Sequence, residues 1–343
     1  MENLHHEISN LAAKLGENPL LVQGAGGNLS WKQGGTLWIK GSGTWLANAN
    51  KDNIFVPVNL LMLNEALTEN NFDTKPRLIG KYLLHPSIET TLHALMPQKI
   101  VAHLHCIEAL IFLVDKDSQK IISQLFNESP DEAIHVAFVD YHKPGPKLAE
   151  ATKEVIEKNP KTNVVFLKNH GIVVGANSTT EIFTILQKIS SKIQQEGKKN
   201  EQFFHSELPT VPSAFQTEYT AFQDIAVQAL ALDSSLFKRL KSDWVLYPDH
   251  AVFLGATAFT YDSWEQFSIR HKDRVDMPEL IFIENVGVYI KSEFNISKRA
   301  QLRCYYDVIS RVNSNANLSP LNSQQVNELL DWDAEKHRQA ISL

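Results

Sequence analysis

Residues 24–40 read Gly24-Ala25-Gly26-Gly27-Asn28-Leu29-Ser30-Trp31-Lys32-Gln33-Gly34-Gly35-Thr36-Leu37-Trp38-Ile39-Lys40, and their order separates two kinds of α/β fold. The glycine cluster superficially matches a dinucleotide fingerprint. That fingerprint follows a strand and opens a helix, because the pyrophosphate rests on the helix N-terminus. Here the cluster follows a helix-like segment and leads into two β runs, Leu29–Lys32 and Thr36–Lys40. Gln33-Gly34-Gly35 joins them as a hairpin. The Rossmann reading is rejected on this order.

Upstream, Leu4, Ile8, Leu11, Ala12 and Leu15 keep helical spacing over residues 4–15, and Gly16 and Pro19 end the pattern. Downstream, Ile54–Val58 reads as a strand weakened by Pro57. Helices follow at 87–95, 107–114, 148–158 and 179–195, with strands at 99–105, 133–139, 163–167 and 172–174. Polarity rises over Glu196–Gln202, and Pro209 and Pro212 come soon after, as in a linker. This divides the chain into residues 1–205 and 206–343. Beyond the linker the patterns predict a helix near 214–231, β runs near 244–254 and 279–291, a helix near 297–312 and a final helix near 322–340. Helices and strands mix in both halves, so the class is α/β or α+β.

A length of 343 residues suits two domains of about 150 residues each. With 43% hydrophobic and 21% charged residues the chain is neither disordered nor a disulfide scaffold. A net charge of −6 gives no basic excess to drive nucleic-acid binding. No apolar run approaches the roughly 20 residues of a membrane span. The two cysteines, Cys106 and Cys304, lie in different halves, and Met1–His6 shows no leader pattern, so a reducing cytoplasm is the simplest setting.

Of thirteen histidines, His103 and His105 form the pair that suggests chemistry. In a strand, residues i and i+2 face the same way, so both imidazoles would project together and offer a chelate for a borderline metal such as zinc. His-x-His also occurs by chance. His170 is a candidate third ligand, in a tight turn where Gly171 permits close backbone approach; Asn-His-Gly is equally an ordinary turn. Three neutral imidazoles leave the ion's full charge for Lewis-acid work. Glu89, in the first turn of the helix before the pair, reads as a proton-transferring base or as a charge placed on the helix dipole. His93 fits no ligand set better than His103 or His105. Asn28 and Ser42-Gly43-Thr44 cradle an anion in one reading and form two ordinary turns in the other.

Taken in order, Gly26-Gly27-Asn28-Leu29-Ser30, Ile39-Lys40-Gly41-Ser42-Gly43-Thr44, Pro86-Ser87-Ile88-Glu89, His103-Leu104-His105 and Asn169-His170-Gly171 resemble the class II aldolase/adducin family over roughly residues 4–195. The resemblance implies an α/β/α sandwich around a mostly antiparallel sheet, followed here by a smaller mixed α/β C-terminal domain. It implies zinc on His103, His105 and His170, Glu89 as the acidic catalytic residue, and phosphate-binding loops at Gly27, Asn28, Ser42, Gly43 and Ser87. It also implies a small-molecule substrate and a homo-oligomer such as a tetramer, while the charge and hydropathy above give the expectation of no nucleic-acid or membrane partner.

The pattern departs from sugar-phosphate aldolases at Ile88, where a second hydroxyl residue often precedes the glutamate. A C-terminal tyrosine serving as proton donor has no counterpart that can be placed. Tyr247-Pro248-Asp249-His250 and Trp332-Asp333-Ala334-Glu335-Lys336 resemble a longer branch of the family, in which a short-chain dehydrogenase often follows; no nicotinamide domain is expected here. Asp249 and His250 are functional residues in one reading and structural hydrogen-bonding residues in the simpler one. The expected activity is a metal-dependent aldolase-type lyase acting through a metal-stabilised enediolate on a small hydroxy-ketone such as a sugar phosphate. An epimerase, dehydratase or decarboxylase on the same site, or a non-catalytic adducin-like interaction protein, are the alternatives.

Overall fold

The computed structural model describes residues 2–127, 131, 133–194 and 207–336. The linker expected at 196–202 and the boundary at 205/206 lie outside the described residues. In the N-terminal half the strands are β1 (Asn28–Gln33), β2 (Thr36–Lys40), β3 (Phe55–Asn59), β4 (Ile100–Leu104), β5 (Val136–Val139), β6 (Val164–Leu167) and β7 (Gly171–Ala176). They form a seven-stranded sheet in the order β3-β2-β1-β4-β7-β6-β5. Every neighbouring pair is antiparallel except β5 with β6. The hairpin β1–β2 keeps the expected register, with Gln33 opposite Thr36 and Gly34 and Gly35 at positive φ in the turn.

The helices of this half are α1 (Glu2–Gly16), α2 (Leu60–Thr68), α3 (Thr90–Leu95), α4 (Ile107–Leu113), α5 (Ser118–Asn127), α6 (Pro146–Lys158) and α7 (Thr179–Gln194). Period-2 alternation sends β-strand side chains to two layers. Ile100, Ala102 and Leu104 of β4 pack with Phe166, Ile172 and the apolar stripes of α1 and α7, including Ile8, Leu11, Ile182 and Ile189. Each such fully buried side chain contributes about 1.5–3 kcal/mol. Val101, Val165 and Val173 take the other face, with Leu92 before the end of α3 and Leu148 of α6. The architecture is therefore an α/β/α sandwich around a mostly antiparallel sheet.

The C-terminal half carries a smaller four-stranded sheet, β8-β11-β10-β9, from β8 (Thr220–Ala221), β9 (Thr260–Tyr261), β10 (Leu280–Ile283) and β11 (Gly287–Ile290). Its helices are α8 (Ile225–Leu232), α9 (Ser234–Ser242), α10 (Pro248–Leu254), α11 (Trp264–Arg270), α12 (Ile296–Ile309) and α13 (Ser323–Leu330). Ile107, Leu110 and Val114 join the core of this half, so α4 lies between the two halves.

Several sequence expectations are corrected. Residues 244–254 are not a β run: Val245 turns left-handed at φ 62, and Pro248 opens α10, where its missing N–H costs nothing. Trp244, Leu246 and Tyr247 are buried, and burial alone gives a short apolar run the look of a strand. The helix expected near 214–231 starts late, because Asp224 caps α8 by accepting from the Ala226 N–H. The helix expected at 87–95 is confined to Thr90–Leu95, with Glu89 at its N-cap. The sequence patterns do not mark α2, α5, α9 or α11. Residues 337–340 of the expected final helix lie outside the described residues.

His250 is fully buried against Trp244 and Tyr305, with ring centroids 4.3 and 4.7 Å away, and its Nδ1 accepts from the Leu246 N–H at 3.3 Å. Burial pushes its imidazole from 6.5 down to about 3. The folded state keeps the ring neutral while the unfolded chain takes up a proton, so its stabilising effect is complete above pH 6.5 and drains away as pH falls towards 3. Urea unfolding should lose about 2 kcal/mol between pH 6.5 and pH 5 through this residue. His250→Leu should flatten that part of the profile; an unchanged acid sensitivity would remove the assignment.

Candidate functional site

Three imidazoles meet at one end of β4. His103 projects from the penultimate residue of β4, His105 lies one residue beyond the strand, and His170 lies in the β6–β7 turn. β4 and β7 are neighbours, with His103 opposite Val173, which carries the turn to the strand end. The ring centroids are 5.1 Å (His103–His105), 4.7 Å (His103–His170) and 5.4 Å (His105–His170) apart. One ligand nitrogen from each ring lies within 4.8 Å of the others, and all three residues are buried. This turn is tight: a Cβ on Gly171 would stand 2.3 Å from the Leu104 carbonyl oxygen. Asn169, at φ 53, anchors the turn by donating from Nδ2 to the Leu246 and Ser319 carbonyls, each at 2.8 Å.

Glu89 closes the cluster. Its Oε2 is 3.4 Å from His103 Nε2, and its Oε1 is 3.5 Å from His170 Nε2. Asn28, opposite His103 in the β1–β4 register, donates from Nδ2 to Glu89 Oε2 at 2.8 Å. The backbone N–H of Glu89 donates to Ser87 Oγ at 3.2 Å. The 85–87 segment lies beside 40–42, through Ser42 N–H to His85 O at 2.8 Å and Ser87 N–H to Lys40 O at 3.2 Å. Gly27, Asn28, Ser42, Gly43, Ser87, Glu89, His105 and His170 line one cavity, and His103 stands against it through Glu89. Gly27 and Gly43 have φ of 65° and 74°, a conformation that glycine adopts freely.

The donor set suits a divalent cation. Burial lowers the His103 imidazole, opposed chiefly by the nearby Glu89 carboxylate, and so favours the neutral ring that binds metals. His103 Nδ1 is 3.1 Å from the Ile172 carbonyl, an arrangement that assigns its proton to Nδ1 and turns the Nε2 lone pair inward. Among the described residues neither His103 Nε2 nor Glu89 Oε1 has a hydrogen-bond partner, a costly arrangement unless a positive charge lies between such groups. His93 is elsewhere: its Nδ1 pairs with Ser30 Oγ at 2.8 Å, and burial holds its imidazole well below the usual range.

Three residues that the sequence does not nominate for the site also line this cavity: Lys40, Asp249 and Glu335. Lys40 is 1% exposed, and its Nζ donates to the carbonyls of Thr44 (2.6 Å) and Ala25 (3.2 Å). A lysine ending a strand reads from sequence as a solvent-facing charge, so the adjoining Gly41-Ser42-Gly43 loop was the signal available. Asp249 and Glu335 come from the C-terminal half, within Tyr247-Pro248-Asp249-His250 and Trp332-Asp333-Ala334-Glu335-Lys336, and neither motif by itself points to the histidine cluster.

With fold and geometry in place, the family follows. A family model described as the class II aldolase and adducin N-terminal domain matches residues 6–196, and the chain belongs to that family. A curated relative, the uncharacterized oxidoreductase YuxG of Bacillus subtilis (strain 168), is 29% identical over 168 residues, 46% of this chain and 23% of that protein's length. Among solved structures, the N-terminal class II aldolase domain of a conserved Thermoplasma acidophilum protein is 23% identical, covers 55% of this chain and 92% of that one, and superposes with a TM-score of 0.45. A sugar-phosphate aldolase from Thermotoga maritima is 16% identical, covers 57% and 94%, and gives a TM-score of 0.45. No helix among the described residues is long and apolar enough to cross a membrane.

Proposed function

We propose that this chain is a metal-dependent aldolase-type lyase acting on a small hydroxy-ketone, with a sugar phosphate as the substrate class. The observation that carries the reading is the convergence of His103, His105 and His170 with Glu89 beside them. In this reading the three imidazoles hold the cation, and zinc suits an all-nitrogen set with an open position. When bound, the ion supplies Lewis-acid stabilisation of the negative charge that develops on the enediolate oxygens. Glu89 moves the proton on the carbon next to the carbonyl, and Asn28 holds its carboxylate in place. Gly27, Asn28, Ser42, Gly43 and Ser87 bind the distal phosphate, and binding energy gathered there orients the reacting carbons. Burial of the cluster excludes bulk water and strengthens each of these interactions.

The same proposal assigns residues 1–205 to the aldolase-type domain and 206–343 to a C-terminal α/β domain, a division supported by the two separate sheets. The test is metal analysis of the purified protein combined with a screen of ketose phosphates for aldehyde release. Stoichiometric metal and aldehyde release support the lyase. Ketose interconversion without aldehyde would replace it with an epimerase, and absence of metal would favour an interaction protein.

A further inference from the structure

We propose that Asp249 is a positioning residue for His105, so that the C-terminal half of the chain completes the histidine cluster. The inference rests on the reading that the three imidazoles hold a divalent cation. Asp249 stands in the first turn of α10 and is 3% exposed, and its Oδ2 lies 3.4 Å from His105 Nδ1. Gln301 of α12 donates from Nε2 both to Asp249 Oδ2 at 3.2 Å and to the Gln23 carbonyl at 3.3 Å. Gln23 in turn donates from Nε2 to the His105 carbonyl at 3.3 Å and to the Pro19 carbonyl at 2.7 Å. All four side chains are buried, and together they tie both the ring and the backbone of His105 to α10 and α12.

Gly26 makes this approach possible. A Cβ at that position would stand 2.9 Å from Asp249 Oδ2 and 2.9 Å from His105 Nδ1, so the space between the two halves is kept free for the pair. A carboxylate facing one ring nitrogen fixes the proton there and leaves the other nitrogen's lone pair for a metal. His103 achieves the same end within its own sheet, through the Ile172 carbonyl. His105 lies one residue past the end of β4; among the described residues no strand residue orients its ring, and the C-terminal half supplies the orienting group. A buried carboxylate is expensive without compensation, which argues against a passive role at this spot.

The test uses the full-length protein stripped of metal, titrated with cobalt(II) and followed by its visible d–d absorption, with zinc affinity measured by chelator competition. Asp249→Asn keeps the shape and an oxygen for Gln301, but its group no longer carries charge. It should bind both ions about 10–100-fold more weakly, with an altered cobalt spectrum. Wild-type affinity and spectrum in Asp249→Asn would overturn the proposal, as would a lowered melting temperature of the metal-free protein with an unchanged spectrum. If Asp249→Asn fails to fold, Gln301→Leu carries the test: a weaker affinity in the same direction supports the role, and an unchanged one refutes it. Failure of the wild-type protein to take up cobalt would instead overturn the cation reading itself, so the two failures are distinguishable.

Discussion

Glu89→Gln is expected to keep its metal and lose about 10²–10⁴-fold in turnover, the range by which a positioned acid–base group accelerates proton transfer. The amide has nearly the same shape, and its oxygen can still accept from Asn28 Nδ2, as Glu89 Oε2 does now at 2.8 Å. What it cannot do is take a proton. A neutral group also removes the negative charge that faces His103 Nε2 and His170 Nε2 at 3.4 and 3.5 Å. The three imidazoles remain, so cation stoichiometry should hold. The measurement is kcat on the substrate that the screen identifies, with metal per chain determined on the same preparation. Unchanged turnover would mean that Glu89 is only the N-terminal charge of α3.

His103→Ala is expected to have the larger effect on the protein itself. His103 is fully buried and central, with both other rings and Glu89 against it. Two imidazoles alone are a poor site for a borderline ion, and the variant should emerge from dialysis without metal. A bound ion stabilises the folded state by mass action, about 2.7 kcal/mol when present at 100 times its dissociation constant. Chelation should therefore lower the wild-type melting temperature and leave His103→Ala unmoved. Equal responses of the two proteins would show that any bound ion lies elsewhere.

The N-terminal half was legible because its signals are local. Gly34 and Gly35 mark the hairpin, and alternation in Ile100–Leu104 separates the two faces of β4 without reference to distant residues. The nominated site residues share the same property: each sits in a short motif at a strand end or a turn, and the sheet brings those ends together. The C-terminal half was less legible because its apolar runs are set by burial rather than periodicity. Trp244–Tyr247 resembles a strand because it is buried, and the turn at Val245 carries no glycine to reveal it. Asp249 reads from sequence as a structural group more simply than as a functional one, since nothing local connects it with His105. Only the packing of α10 and α12 against the Gln23–Gly26 turn does so. The sequence does not reveal the burial of Lys40, because that burial depends on the carbonyls of two separate loops.

X-ray absorption at the zinc edge of the metal-loaded protein reads the three-imidazole site itself. The expected result is a first shell with three imidazole nitrogens at about 2.0–2.1 Å, carrying the multiple-scattering pattern of ordered rings, and loss of that shell in His103→Ala. A first shell of oxygen or sulfur without imidazole scattering, or an identical spectrum from His103→Ala, would contradict it.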